Sequence, residues 1–209
     1  MKIFFTISII LTGFFSNGQD PRVVDSLNQL LAKTGQDTNR VKLLMQIGNE
    51  YFFTRPDTSR LISEKALALS RELDYIRGVV DNLNELAEAV RFLGNYPLAL
   101  KLNFEALQMN RDMKDINGES RTMSFIGITY LEFREYRLGL EYLLSANKLD
   151  KETHNQLMET FNLTTIANAY DLLKMPDSAL YYSKLSNETY TGLTHGPLRS
   201  LILTRMGNA

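Results

Sequence analysis

The stretch 83–106, LNELAEAVRFLGNYPLALKLNFEA, is answered forty residues later by 123–146, MSFIGITYLEFREYRLGLEYLLSA. Laid over one another, the two put Ala87 on Gly127, Ala99 on Gly139 and Ala106 on Ala146. Carried in both directions, the same step extends three columns of small residues. The first is Gly48, Ala87, Gly127, Ala167, Gly207; the second Ser59, Ala99, Gly139, Ala179; the third Ala66, Ala106, Ala146, Ser186. Tyr51, Val90, Tyr130 and Tyr170 keep the beat just after the first column. A fixed period of this size is the mark of stacked supersecondary units.

Between the columns the apolar residues fall at helical spacing. Leu83, Leu86, Val90 and Leu93 form one stripe of a first helix. Gly94-Asn95-Tyr96-Pro97 interrupts it, and Pro97 suits the first turn of a second helix that carries Leu98, Leu102, Ala106 and Leu107. The next unit repeats this with Met123, Ile126, Tyr130 and Phe133, a turn at Arg134-Glu135, then Tyr136, Leu140 and Leu143. The unit after it has Leu163, Ile166, Tyr170 and Leu173, a turn at Met175-Pro176-Asp177, then Leu180 and Leu185. The earliest unit has Leu44, Ile47 and Tyr51, a turn around Arg55-Pro56-Asp57, then Leu61, Ile62 and Leu67. Each unit therefore reads as helix, short turn, helix. Glycine inside a helix costs about 1 kcal/mol relative to alanine, so Gly127 and Gly139 need a packing reason. Close crossing supplies one: Gly127 is expected to face Gly139, and Ala167 to face Ala179. Ala106 and Ala146 are expected where a second helix meets the following unit, with Tyr130 and Tyr170 filling the space beside the crossings.

This pattern resembles the tetratricopeptide repeat. Leu83-x2-Leu86-Ala87-x2-Val90, Gly94-Asn95-Tyr96, Ala99 and Ala106 match its hallmark positions, as do Met123-x2-Ile126-Gly127-x2-Tyr130, Tyr136, Gly139 and Ala146. The resemblance runs from Val41 to the C-terminus and implies an all-α, right-handed solenoid of stacked antiparallel helix pairs. Ser59, Ser186 and Lys174-Met175-Pro176 depart from it in the outer units. The usual period is about 34 residues. Forty implies roughly one to two extra helical turns per unit at about 3.6 residues each, or longer linkers. Asp74-Tyr-Ile-Arg-Gly78 and Asp115-Ile-Asn-Gly118 mark two inter-unit junctions.

The ends differ from the array. Lys2, the apolar run Ile3–Phe15 and the small residues Ser16-Asn17-Gly18 have the shape of a secretory signal peptide cleaved before Gln19. A buried N-terminal helix or an uncleaved anchor is the alternative. No later run is long enough to span a bilayer. Arg22–Ala32, with Val23, Val24, Leu27, Leu30 and Leu31 on one face, reads as a helix capping the first repeat, or else a detached amphipathic linker. At the other end Leu198, Leu201, Ile202, Leu203 and Met206 form the first helix of a fifth unit with no partner, so the chain reads as a fragment unless that half-unit is itself a cap. The expected organisation is a signal peptide at 1–18, a capping helix and linker at 19–40, repeats at 41–76, 77–116, 117–156 and 157–196, and an incomplete repeat at 197–209.

The function follows from the groove, because nothing else in the sequence carries chemistry. A net charge of −1 with interleaved signs leaves no footprint for nucleic acid. The absence of Cys excludes disulfides and thiolate chemistry. His154 and His195 cannot by themselves build a metal site, and no phosphate-cradling, dinucleotide or nucleophile-elbow motif occurs. Neither an enzyme activity, a cofactor nor a metal is expected. In tetratricopeptide arrays the first helices line a concave face that takes a protein or peptide. By position the resemblance assigns that face Asn49, Asn84, Glu88, Arg91, Ser124, Asn168 and Asp171. Asn amides can hold an extended backbone through its donors and acceptors. A narrower similarity, carried by Asp25–Leu31, Asp37-Thr38-Asn39-Arg40-Val41 and the two Asp/Gly junctions, is to the periplasmic sensor region of bacterial two-component proteins. It implies an exported input domain acting by ligand binding or homo-oligomerisation. A stand-alone periplasmic scaffold or adaptor is the other reading.

Overall fold

A computed structural model describes residues 21–195, with side chains described for 22–190. The expected signal peptide and fifth-unit helix lie outside the described residues. Those residues form helices α1 (Pro21–Lys33), α2 (Thr38–Tyr51), α3 (Pro56–Glu72), α4 (Ile76–Phe92), α5 (Tyr96–Asp112), α6 (Ile116–Glu132), α7 (Tyr136–Glu152), α8 (Gln156–Leu172) and α9 (Pro176–His195). From α3 to α8 every helix has 17 residues, and each starts 20 residues after the last. The forty-residue beat is thus two equal helix-plus-turn modules. The additional length over the usual repeat lies in the helices, since all their connections are three residues long.

Those connections share one geometry. Their middle residues, Asp74, Gly94, Lys114, Arg134, His154 and Lys174, take φ values of 50°, 82°, 56°, 67°, 54° and 61°. This left-handed residue lets the following N–H reach back to the last turn: Tyr75 N to Ser70 O, Asp115 N to Asn110 O and Met175 N to Tyr170 O, each at 2.9 Å. The bond satisfies a carbonyl that the helix end would leave orphaned. Next, Asn95, Asp115 and Asn155 cap the new helix by accepting from Leu98 N, Gly118 N and Met158 N. Turns within a unit and between units are the same object. The two earliest connections differ: residues 34–37 join α1 to α2, and Phe52–Arg55 joins α2 to α3, without a left-handed residue.

Consecutive helices pack antiparallel into one continuous stack. In addition, α2, α4, α6 and α8 pack side by side, whereas no comparable contact joins α3, α5, α7 and α9 to one another. The first helices therefore form the inner wall of a curved solenoid and the second helices its outer wall. The core runs through the stack from Val41, Leu44 and Ala66, through Val80, Leu83, Ala87, Ala99 and Ala106, to Ile126, Ala146, Leu143 and Ile166.

The small columns sit at the crossings, with unequal closeness. A Cβ on Gly127 would lie 3.0 Å from Gly139 O and 2.7 Å from Leu143 Cγ. One on Gly139 would lie 2.8 Å from Gly127 O and 2.7 Å from Leu131 Cδ2. A Cβ on Gly48 would meet nothing nearer than Ile62 and Ser63 at 3.6 Å. Ala87, Ala99, Ala106 and Ala146 are fully buried and Ala167 nearly so, while Ala179 on α9 stays partly exposed. Tyr130 stacks on Tyr142 and Tyr170 on Tyr182, with ring centroids 5.7 and 5.2 Å apart.

At the N-terminal end α1 lies against α2. Arg40 Nη1 donates to Leu31 O at 2.9 Å and Thr34 O at 3.1 Å, closing the end of α1. Asp37 caps α2 by accepting from Asn39 N and Arg40 N. The stripe on α1 is only partly covered: Val24 is buried and Leu31 packs on the first core cluster, while Val23 and Leu30 remain exposed.

Candidate binding groove

Helix periodicity and the seams between first helices decide which side chains the inner wall presents. On α4 the open or half-open stripe is Arg77, Asp81, Glu85, Glu88 and Phe92. On α6 it is Asn117, Arg121, Phe125, Ile128 and Glu132, and on α8 Leu157, Phe161, Thr165 and Asn168. Asn49 of α2 is exposed, Glu88 and Asn168 are half-buried, and Asp171 is exposed at the end of α8.

Three of the residues assigned to the groove by position are corrected here. Asn84 is 3% exposed, donating through Nδ2 to Thr122 Oγ1 on α6 at 3.0 Å. Ser124 is wholly buried, and its hydroxyl donates to Ser120 O. Arg91 is 8% exposed, bonding Glu88 on its own helix and Glu132 on α6. Ser124 and Arg91 are turned to their own backbone or a neighbouring helix, and Asn84, held by Thr122, reaches the channel only as the floor of a cavity. Burial works against the charge of Arg91, but its two carboxylate partners outweigh it and raise its pKa above the ordinary value. The assignment is off by one helical position on either side of Glu88: the open neighbours are Asp81, Glu85 and Phe92.

The sequence reading also missed a polar column. Ser70, Asn110 and Asp150 end the second helices forty residues apart, and Asn82, Thr122 and Asn162 face them from the next first helix with the same step. Asn82 Nδ2 donates to Ser70 Oγ at 3.2 Å, Asn110 Nδ2 to Thr122 Oγ1 at 3.0 Å and Asn162 Nδ2 to Asp150 Oδ2 at 2.6 Å. Ser120 Oγ also donates to Asp150 Oδ1 at 2.5 Å. Burial pushes the Asp150 carboxyl up, with the Ser120 and Asn162 bonds opposing. These pairs join units; they do not face a ligand. The period that exposed the small residues would have exposed them too.

Midway along the inner wall lies a cavity of about 250 Å³, open to the channel. Met45 of α2, Arg77, Asp81 and Glu85 of α4, and Arg121 and Phe125 of α6 line it, with Asn84 beneath. Arg121 Nη2 donates to Asp81 Oδ1 at 2.7 Å. Arg77 bonds Asp115 and lies with Nε 3.6 Å from Asp81 Oδ2. Glu85 has no hydrogen-bond or ion-pair partner among the described residues. Burial, with help from Glu88 and Asp81 and against Arg121, pushes its pKa up to about 7. At the end of the wall Phe52, Phe53 and Phe92 form an aromatic group, with Phe92 centred 5.4 and 6.2 Å from the other two.

His154 occupies a left-handed turn position and is exposed. Among the described residues there is no group of three or more metal-ligating side chains, and no helix is long and apolar enough to cross a membrane.

No family model matches the sequence, and no curated protein matches it either. Solved structures do match in shape. A Rap protein complexed with competence and sporulation factor superposes with TM-score 0.77 at 14% identity, over 88% of this chain and 51% of that one. A putative kinesin light chain from Podosopora anserina, with nearly identical TPR-like repeats, gives TM-score 0.68 at 14% identity over 87% and 91%. The STAND protein PH0952 from Pyrococcus horikoshii, which has a tetratricopeptide repeat sensor, gives 0.67 at 17% over 79% and 26%. The chain thus spans about half of the Rap structure and a quarter of the STAND protein. At such identities the likeness speaks for the fold alone, and with the packing described above it makes this chain a tetratricopeptide-type helical solenoid.

Proposed function

We propose that this chain is an exported binding domain whose inner wall takes a protein or peptide segment. The supporting observation is the α4–α6 wall itself, where aromatic and charged side chains stay open around a cavity while their neighbours are locked into helix seams. The Rap structure is a complex with a factor and the STAND protein uses its repeats as a sensor, which fits an input role in signalling. Export rests on residues 1–18, whose composition is that of a signal peptide.

Purified protein used as bait against an envelope fraction tests the binding reading. Capture should weaken at least about tenfold with Glu88→Arg or Asn168→Ala on the inner wall, and stay unchanged with Lys148→Ala on the outer wall. Equal loss from both walls, or from neither, rejects the groove. The mature N-terminus of the secreted protein should begin at Gln19; an intact Met1 in the cytoplasmic fraction rejects export.

A further inference from the structure

The charges lining the cavity are equal in number but unequally paired. Arg77 and Arg121 supply two cations and Asp81 and Glu85 two carboxyl groups, while Asp115, outside the lining, takes a bond from Arg77. Both guanidiniums are committed to Asp81 or Asp115, and neither bonds Glu85. The one carboxyl without a partner stands between Met45 and Phe125, apolar side chains from the helices on either side. A half-buried carboxylate that no cation bonds directly is unfavourable even with Arg121 nearby, and a cation delivered to it would relieve that.

Resting on the peptide-groove reading above, we propose that this cavity is a specificity pocket for a basic side chain of the bound segment. The charged head pairs with Glu85, and the aliphatic stem packs between Met45 and Phe125. The volume of about 250 Å³ accepts one long side chain. A metal ion fits poorly, because Asp81 already serves two arginines and Glu85 would be a lone ligand. An acidic side chain would meet Asp81 and Glu85, while Arg77 and Arg121 are already paired with Asp81 and Asp115. Arginine gains further from Phe125, whose ring face attracts a guanidinium.

The pocket gives a pH dependence with a fixed sign. The charged groups around Glu85 are Asp81, Glu88 and Arg77 on its own helix and Arg121 on α6; α2 contributes uncharged Met45 to the lining. A cation favours ionised Glu85, so its binding should be strongest above about pH 7 and fall up to about tenfold for each pH unit below.

The test uses the folded chain labelled for NMR and three capped pentapeptides, Ala-Ala-X-Ala-Ala, with X as Arg, citrulline or Glu. Saturable shifts at Met45, Glu85 and Phe125 are expected with Arg, weakened at least about tenfold with citrulline or Glu. Glu85→Gln should remove the preference for Arg while leaving the spectrum of the free protein otherwise in place. If Arg and citrulline bind the wall equally, or Glu85→Gln binds Arg as tightly as the native chain, the pocket is refuted and the groove stands. If no inner-wall residue responds to any peptide and the envelope capture is also insensitive to Glu88→Arg, both readings fall.

Discussion

The third and first units carry the same small-residue columns, yet their helices meet differently. In the third, Gly127 and Gly139 lie so close that each occupies the place a Cβ would need against the other's carbonyl. In the first, Gly48 faces Ile62 and Ser63 across an ordinary van der Waals gap, and its turn lacks the left-handed residue found in the six connections that follow. The difference shows that a glycine in the column permits a close crossing without producing one. What stands opposite decides, and only the third unit has a second glycine there.

The sharpest way to break this contrast is Gly127→Val. The branched side chain would press on Leu143 and the Gly139 backbone, costing about 3 kcal/mol of stability in urea unfolding. A loss below about 1 kcal/mol would mean that the crossing yields. The unit junctions extend the comparison. Thr122→Val strips the partner from both Asn84 and Asn110 and should cost about 2 kcal/mol, whereas Ser70→Ala at the first junction should cost about 1, because Asn82 keeps its bond to Gly78 O. Equal losses would show that the buried pairs act alike along the stack.

Glu85 sharpens it in another dimension, since its effect depends on pH. Its folded pKa is raised to about 7, so the neutral carboxyl's contribution is complete below the unfolded value and is lost as pH rises through about 7. Glu85→Gln should therefore match the native chain near pH 4 and become more stable by about 2 kcal/mol near pH 8, after allowance for solvent screening. A gap that does not widen with pH would contradict the burial of this group. At the small end, Lys114→Gly and Arg134→Gly should each stabilise by about 1 kcal/mol, because a left-handed residue with a Cβ is strained. Gly48→Ala should gain up to about 1 kcal/mol from helix propensity alone; a loss would place a tighter contact in the first unit than its 3.6 Å gap allows.

The fold was legible because small residues at crossings and large ones between them are both required by packing, and packing repeats. The turns were not, since three of the six left-handed positions hold Lys or Arg, which signal nothing of the kind, and Asp74 and His154 signal it only weakly. The groove register was half legible. Counting from the small column finds the inner side of α4, and Glu88 lies on it. It does not reveal that α6 packs against α4 and claims Asn84 and Arg91. That seam depends on how tightly successive first helices nest, which no single column records. Glu85 was invisible for the same reason: a lone glutamate on a helix is ordinary until its neighbours are seen to be spent elsewhere.

One consequence follows from the uniform left-handed turn. The backbone of this array repeats every 20 residues, but the side chains repeat every forty. Excising one helix with its turn, such as 96–115, would leave every remaining connection intact while exchanging inner and outer sequences for all that follows. Phe125 and Arg121 would move to the outer wall. Growth or loss of such a chain by single helices is thus easy for the main chain and ruinous for its surfaces, so length can change without loss of the groove only in pairs.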